Sequence, residues 1–257
     1  MSLAGFQARP AYSFYHLIWT AIDWVYPPVC GGCEKPGVRW CADCQAQITR
    51  PDAHLCPLCS RPQPDPGRRI CSTCQQSNPG CVDIRSWAIF QGPVREAIHR
   101  LKYKGDIGLS EIFATKLVEL LVELNWKVDL VTAVPLSRQR LKQRGYNQAG
   151  LLGWPLAKAL CVSYASQAIV RIRNTGSQVG LSIRERQENV SGAFSAYPRL
   201  VRGKNILIID DVLTTGATMQ ACARALLEAG ANSVYGITLA RAPFRDRQQD
   251  PDLKLDQ

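Results

Sequence analysis

Two adjacent carboxylates, Asp210 and Asp211, follow a run of four β-forming residues at 206–209 and precede a turn rich in hydroxyl groups. Such a run followed at once by charge predicts a strand of a parallel sheet, covered on both faces, whose carboxyl end reaches the surface. Ligands of open α/β sheets bind at that end. Because carboxylates only accept hydrogen bonds, they suit paired ribose hydroxyls or a Mg²⁺ shell.

The turn after the carboxylates is suited to a phosphate. A helix is expected at 217–228, and a dianionic phosphate would lie at its positive end, near hydroxyl and backbone N–H donors. The alternative is that the aspartates merely end a strand and Thr214 caps the helix. No G-x-x-x-x-G-K-[ST] run occurs, which excludes the phosphate loop of NTPases. The candidate phosphate ligands are Leu213, Thr214, Thr215, Gly216, Ala217 and Thr218.

Eight of the eleven cysteines form C-x-x-C pairs, which are Cys30 and Cys33, Cys41 and Cys44, Cys56 and Cys59, and Cys71 and Cys74. Such pairs are typical of zinc ribbons, in which the metal supplies folding energy to a segment with little core. We predict two structural Zn²⁺ sites, the first four cysteines on one and the last four on the other, because these loop closures are short. Interleaved pairing stays open. A disulfide framework is the alternative, but no secretory signal pattern accompanies it.

A basic stretch follows a strand expected at 128–134, with cations at every second position, Arg138, Arg140, Lys142 and Arg144. On a helix these side chains would spread over two faces, whereas a loop could direct them to one polyanion. We therefore predict a loop at the same sheet edge as the aspartates, and a solvated basic turn is the alternative. The candidate ligand-binding residues are Pro135, Leu136, Ser137, Arg138 and Arg144.

A long polar, glycine-containing stretch at 171–190 predicts a lid over the same edge. A disordered insertion is the alternative, although three apolar residues give the stretch something to fold with. Its candidate ligand-binding residues are Arg173, Gln178, Arg184 and Arg186.

The 257 residues carry a formal net charge of +10. Eight zinc-bound thiolates and two Zn²⁺ would lower this charge to about +6. A basic surplus fits anionic small molecules or nucleic acid and does not separate them. No apolar run approaches the roughly 20 residues of a membrane span, so we expect a soluble, cytoplasmic protein.

Strands and helices alternate after the cysteine-rich segment, which predicts an α/β fold with a parallel sheet and helices on both faces. We expect strands at 84–90, 128–134, 168–172, 206–209 and 233–239, and helices at 93–104, 109–124, 146–160 and 217–228. The predicted domains are an amphipathic N-terminal helix within 1–26, a double zinc ribbon at 27–81, the α/β domain at 82–241 and a disordered tail at 242–257.

The carboxylate motif resembles the ribosyl-phosphate motif of the type I phosphoribosyltransferases. Over about residues 27–240, the order of motifs resembles the ComF family of competence proteins. These motifs are the C-x-x-C pairs, Leu101-Lys102-Tyr103-Lys104-Gly105, Arg144-Gly145-Tyr146-Asn147-Gln148, Gly192-Ala193-Phe194 and the ribosyl-phosphate motif. The resemblance implies a double zinc ribbon before a phosphoribosyltransferase-type domain. It also implies a site for 5-phosphoribosyl-1-pyrophosphate with Mg²⁺ and a role in natural transformation, near single-stranded DNA and other competence proteins such as a DNA-uptake translocase.

In a catalytic site of this kind, Asp210 and Asp211 would hold the ribose hydroxyls and stabilise positive charge on the ring. Mg²⁺ and Arg138 would neutralise the departing pyrophosphate. Two other functions stay open. One is a ligand sensor or single-stranded DNA-binding factor without turnover, with Trp24, Tyr26 and Trp40 as a stacking surface. The other is a nucleobase salvage enzyme, which the zinc ribbons disfavour because they occupy the place of a base-reading hood.

Overall fold

The expected alternation of strands and helices is present in the computed structural model, which describes residues 27–51, 54–63, 70–75, 80–81, 83–173 and 189–243. The helix expected within 1–26, most of the lid and nearly all of the tail lie outside these residues. Within the described ranges, no helix is long and apolar enough to cross a bilayer.

Seven strands and eight helices are assigned in the part of the chain that the structure describes. The strands are β1 (Asp83–Ile89), β2 (Leu130–Ala133), β3 (Ser163–Tyr164), β4 (Ile169–Arg171), β5 (Phe194–Ala196), β6 (Asn205–Leu213) and β7 (Ser233–Arg241). The helices are α1 (Ala42–Ala46), α2 (Ser72–Gln75), α3 (Gly92–Tyr103), α4 (Leu109–Leu124), α5 (Arg138–Arg144), α6 (Gln148–Leu160), α7 (Pro198–Val201) and α8 (Ala217–Glu228).

The main sheet has the strand order β1-β7-β6-β2-β3, and all its neighbouring pairs are parallel. β6 is the central strand and is buried on both faces, which explains the continuous apolar run at 206–209. The strand continues to Leu213, past its expected end at residue 209, because its pairing with β7 extends to Arg241. Asp210 and Asp211 therefore lie inside the strand and not after it.

Each face of the sheet has its own apolar core. Leu207 and Ile209 of β6 pack with α3, α4 and α6, a side we call the α6 face. Ile206 and Ile208 pack with α8 and with the hairpin of β4 and β5, a side we call the α8 face. Alternation along the strand thus sends one set of side chains to each core. The predicted α/β fold with helices on both faces is confirmed.

The strand expected at 168–172 is present, but its assignment to the parallel sheet was wrong. β4 pairs antiparallel with β5 in a separate two-stranded sheet, with Ile169 opposite Ala196. Ile169 and Phe194 bury their side chains in the core of the α8 face. The hairpin therefore covers the α8 face instead of extending the sheet.

The cysteine-rich segment lies along β1, the edge strand of the sheet. The Ile84 N–H donates to the Pro57 carbonyl at 2.7 Å, and the Ile89 N–H donates to the Thr49 carbonyl at 2.8 Å. These bonds satisfy backbone groups that an open edge would expose. The segment is therefore built onto the α/β domain and is not a separate appendage.

Candidate functional site

A topological switch point lies between β2 and β6. β2 connects through α5 and α6 to β3, whereas β6 connects through α8 to β7 on the opposite side. Such a reversal opens a crevice at the carboxyl ends of the two strands. The Val134 N–H donates to the Ile209 carbonyl at 2.9 Å and carries the pairing to this edge. The predicted ligand residues at 135–138 and 210–218 follow these two strands and flank the crevice.

Asp211 lies on the α6 face and pairs with Lys102 of α3. The Lys102 Nζ is 2.8 Å from an Asp211 carboxylate oxygen, and the two side chains are only 16% and 6% exposed. Burial acts to raise the pKa of Asp211, but the charge of Lys102 outweighs it and holds this pKa below its usual value. Asp211 is therefore a buried carboxylate that stays ionised.

Asp210 points to the opposite face, as alternation requires. There it adds to the effect of burial in raising the pKa of the Cys222 thiol in α8. Burial and the neighbouring charge of Asp211 raise the pKa of Asp210 well above its usual 3.8. The pKa values of the two adjacent carboxyl groups therefore move in opposite directions: that of Asp211 is lowered by the charge of Lys102, and that of Asp210 is raised.

The turn before α8 has the geometry of an anion site. Gly216 has φ +78°, a left-handed conformation that disfavours other residues, and α8 begins at the next residue. The Thr215 Oγ1 accepts from the Ala217 N–H at 3.4 Å. The Thr214, Thr215 and Thr218 side chains are half-buried, whereas Leu213 is buried in the core. The hydroxyl groups thus surround the positive end of a three-turn helix.

The prediction of a loop at 138–144 was wrong, because this stretch is helix α5. The Ser137 hydroxyl accepts from the Arg140 N–H at 3.2 Å and caps the helix, and Gly145 ends it in a left-handed conformation. The intervening residues are good helix formers. Arg138 and Arg140 are exposed on the helix, while Pro135, Leu136 and Ser137 form the half-buried approach from β2.

Arg144, at the end of α5, turns toward the carboxylates. Its guanidinium lies 5.2 Å from the ring centre of Tyr103 and bonds to the Gln148 amide oxygen. Its charge also helps to lower the pKa of Asp211. The helix therefore separates the cations that the sequence grouped together, with Arg144 beside the site and others facing solvent.

Two residues after α5 brace the crevice. The Asn147 Nδ2 donates to the Val134 carbonyl at 3.0 Å, and its Oδ1 accepts from the Ala149 N–H at 3.0 Å, which caps α6. The Tyr146 hydroxyl donates to the Leu101 carbonyl at 2.7 Å. The last bond ties the α5–α6 connection to α3 next to Lys102.

Of the predicted lid residues, the structure describes Arg173. Its guanidinium donates to the carbonyls of Asn189 at 3.1 Å and Ser191 at 2.6 Å, so it joins the two ends of the segment. Gln178, Arg184 and Arg186 lie outside the described residues.

Lys102 was missed as a site residue by the sequence reasoning. Its signal was present, because it stands in the Leu101–Gly105 stretch that contributes to the family resemblance. Nothing in that stretch indicates which carboxylate it would meet, since α3 reaches the crevice only through the packing of the α6 face.

The eight predicted cysteine ligands form two sequential tetrads, one from residues 30–44 and one from residues 56–74, with the sulfurs of each within 4.8 Å of one another. Sulfur–sulfur distances are 3.6 Å for Cys30 to Cys44 and 3.7 Å for Cys59 to Cys71. Four sulfurs at about 2.3 Å from one Zn²⁺ would be about 3.8 Å apart. All eleven cysteines lie in the described part of the chain, and none forms a disulfide. The tetrads fit Zn²⁺, and the sequential pairing is confirmed.

Backbone N–H groups donate hydrogen bonds to cysteine sulfurs in both tetrads. The Cys41 N–H donates to the Cys30 sulfur and the Cys71 N–H donates to the Cys56 sulfur, each at 3.4 Å. Burial acts to raise the pKa of Cys30, but backbone N–H groups outweigh it and lower this pKa to about 6. Such N–H to sulfur bonds orient and stabilise ligating thiolates.

Trp40, which was considered part of a stacking surface for single-stranded DNA, is half-buried against the α/β domain. Its ring packs edge-on against Trp87 and Phe113, with ring centres 6.4 and 5.4 Å apart. It thereby joins the first ribbon, which contains the tetrad of residues 30–44, to the core of the α6 face. The second ribbon contains the tetrad of residues 56–74. Trp24 and Tyr26 lie outside the described residues.

Fold and site define a phosphoribosyltransferase-type protein with a double zinc ribbon. The chain matches the phosphoribosyl transferase domain model at residues 156–256 and the double zinc ribbon domain model at residues 21–75. It is 33% identical over 224 residues to the DNA utilization protein YhgH of Escherichia coli K12, covering 84% of this chain and 97% of that protein. It is 30% identical to the competence protein ComFC of Bacillus subtilis 168, covering 81% and 86%. The chain belongs to the ComF family of competence proteins.

Among solved structures, the chain is similar to adenine phosphoribosyltransferase from Thermoanaerobacter pseudethanolicus. The identity is 18%, the TM-score is 0.33, and the match covers 57% of this chain and 86% of that one.

Proposed function

We propose that the crevice between β2 and β6 binds 5-phosphoribosyl-1-pyrophosphate with Mg²⁺, in a protein that acts in DNA uptake by natural transformation. One observation carries the ligand: the adjacent carboxylates of half-buried Asp210 and buried Asp211, a hydroxyl-rich helix N-terminus and a basic segment meet at one switch point. These groups match the ribose, the 5′-phosphate and the pyrophosphate of one molecule.

The ligand residues follow from that match. Asp210 and Asp211 would bind the ribose hydroxyls, and Thr214, Thr215, Gly216, Ala217 and Thr218 with Leu213 would enclose the 5′-phosphate. The pyrophosphate would lie near Pro135, Leu136, Ser137, Arg138 and Arg144. Arg173, Gln178 and Arg186 would close over the ligand.

The carboxylates are suited to a Mg²⁺ ion, because hard cations prefer oxygen ligands. Burial and the charge of Asp211 raise the pKa of Asp210. Asp210 would bind the cation as a carboxylate, so it would lose any proton that it holds when the cation binds. Bound with the substrate, Mg²⁺ would neutralise charge on the pyrophosphate.

Lys102 gives Asp211 its chemical role in this proposal. Held ionised by Lys102 at 2.8 Å, Asp211 would stabilise positive charge on the ribose ring as the bond to pyrophosphate breaks. The 5′-phosphate, held at the α8 N-terminus, would fix the reacting carbon relative to the leaving group. The proposed reaction is therefore pentosyl transfer driven by charge placement.

The biological role is supported by the relatives, which are named for DNA utilization and competence. We propose that the zinc-loaded module at 27–81 and the domain at 82–241 work together near single-stranded DNA, with a DNA-uptake translocase as a candidate partner. Eight cysteine thiols in zinc-type tetrads suit a reducing compartment, which supports a cytoplasmic location.

A second candidate function is binding of single-stranded DNA at the crevice without turnover. The observation that favours it is the exposed cationic side of α5 next to Tyr103, which is 54% exposed. Aromatic rings with nearby cations bind single strands without sequence preference.

Pyrophosphate release separates these functions. The purified protein would be incubated with 5-phosphoribosyl-1-pyrophosphate, Mg²⁺ and a panel of nucleobases, with and without single-stranded DNA. We expect release in the wild type, its loss in Asp211→Asn and its retention in Asp43→Asn, which neutralises a carboxylate whose side chain is 72% exposed. Ligand binding without release would favour the sensor, and release with a free nucleobase alone would favour salvage.

A further inference from the structure

Gln220, in the first turn of α8, makes side-chain hydrogen bonds to the second ribbon. Its Oε1 accepts from the Gly80 N–H at 2.6 Å and the Cys81 N–H at 2.9 Å. Its Nε2 donates to the Leu58 carbonyl. One helical glutamine thus joins two separate parts of the cysteine-rich segment.

Leu58 lies within a zinc knuckle, between Cys56 and Cys59. The turn is closed by the Ser60 N–H, which donates to the Cys56 carbonyl at 2.7 Å. The four sulfurs of this tetrad lie within 4.8 Å of one another, and a bound metal would hold them there. The position of the Leu58 carbonyl therefore depends on the closed tetrad.

The backbone of Gln220 contacts the hydroxyl-rich turn at 214–216 before α8, which we call the phosphate turn. Its N–H donates to the Gly216 carbonyl at 2.9 Å, and Gly216 is the left-handed residue at which α8 begins. At Gly80, even a Cβ atom would come within 2.6 Å of the Arg224 backbone nitrogen, so α8 and the segment after the second tetrad are in close contact. The knuckle that contains Leu58, the Gln220 side chain and the phosphate turn are therefore linked by consecutive contacts.

We propose that Gln220 is a positioning residue that couples the zinc site of the second ribbon to the phosphate turn of the phosphoribosyl site. The inference rests on the proposed function, and it adds that zinc occupancy of one ribbon sets ligand affinity. The proposal assigns no such coupling to the first ribbon. Its Glu34 pairs with Arg100 of α3, which lies on the opposite face of the sheet from α8. Coupling between sites is reciprocal, so ligand binding should also slow zinc release from the second ribbon.

The test uses the full chain, with calorimetric titration of 5-phosphoribosyl-1-pyrophosphate and Mg²⁺ and with zinc release to a colorimetric chelator. Gln220→Ala should weaken ligand binding by about tenfold, a typical coupling factor. Gln220→Glu keeps the acceptor for Gly80 and Cys81 but opposes the Leu58 carbonyl, so it isolates the knuckle bond. Gln91→Ala is the matched control, because the Gln91 side chain bonds to Thr49 at 2.8 Å, before α3 and away from α8.

Zinc release is measured in a Cys30→Ser background, where the second tetrad is the intact one. We expect the ligand to slow release there, and to lose this effect when Gln220→Ala is added. Equal ligand affinity in wild type and Gln220→Ala, or an unchanged ligand effect on release, would overturn the coupling and leave the ligand assignment standing. No binding to the wild type would overturn both.

Discussion

The two faces of the central sheet differ in the contacts that attach a zinc ribbon and in the direction in which the pKa of an aspartate is shifted. On the α6 face, the first ribbon packs Trp40 against Trp87 and Phe113, and Lys102 keeps Asp211 ionised. On the α8 face, the second ribbon is held by the hydrogen bonds of Gln220, and burial and the charge of Asp211 raise the pKa of Asp210. The α6 face therefore uses apolar packing and an ion pair, whereas the α8 face uses neutral polar contacts.

This difference shows how adjacent residues with the same side chain can take different roles. Strand alternation sends Asp210 and Asp211 to different faces, and Lys102 of the α6 face pairs with Asp211. Each ribbon is attached to the helices of one face. A substitution in one ribbon should consequently leave the other ribbon attached.

The largest effect is expected from zinc ligands. Cys44→Ser and Cys71→Ser should each lower the zinc content from about two to about one per chain, because structural zinc contributes on the order of 10 kcal/mol to folding its site. Metal analysis of purified variants measures this loss. Cys161→Ser is the control, since Cys161 is exposed and outside both tetrads. Loss of both metals from either single variant would contradict independent ribbons.

Next in size is the aromatic contact of the first ribbon. Trp40→Ala should destabilise the protein by about 3 kcal/mol, because it removes a large ring from a packed cluster. Urea unfolding measures the change, and Trp154→Ala, whose tryptophan is 40% exposed, is the control. A cost for Trp40→Ala no larger than that of the control would show that the first ribbon does not rely on this contact.

Neutralising Asp211 should also destabilise, by about 3 kcal/mol near neutral pH, because Asp211→Asn leaves Lys102 without its anion. The pKa of Asp211 lies below its usual value, so the stabilisation is present above the usual value and is lost as pH falls through the folded-state pKa. The cost of Asp211→Asn should therefore shrink below about pH 4. Urea unfolding at several pH values measures it, and a constant cost would contradict the ion pair.

The smallest and opposite effect is expected at Asp210. Its pKa is raised, so above 3.8 the folded state keeps a proton that the unfolded state releases, and stability falls as pH rises. Asp210→Asn should therefore stabilise the protein near neutral pH, by about 1 kcal/mol, as substitutions at strained functional sites often do. Thermal unfolding at pH 4 and pH 7 measures it. A destabilised variant at pH 7 would show that the two faces treat their carboxylates alike.

Much of the fold was readable from local patterns. The helices at 109–124 and 217–228 have the expected bounds, because both show apolar periodicity and α8 starts after Gly216. The cysteine spacing also predicted the two tetrads. Helix α5 was missed because the spacing of its cations was read without weighing the Ser137 cap.

The remaining features depend on tertiary packing. The pairing of β4 with β5 and the contact of Lys102 with Asp211 join segments far apart in the chain. Likewise, the sequence does not show that Trp40, considered as a nucleic-acid contact, packs against Trp87 and Phe113. Two aspartates in a row also do not reveal that their pKa values move in opposite directions.

Calorimetric titration of 5-phosphoribosyl-1-pyrophosphate in the presence of Mg²⁺ tests the phosphoribosyl site most directly. The wild type and Asp43→Asn should bind with the same affinity, whereas Asp210→Asn, although stabilised, should lose Mg²⁺-dependent binding. Unchanged affinity in Asp210→Asn, or no binding by the wild type, would contradict a phosphoribosyl pyrophosphate site at the switch point between β2 and β6.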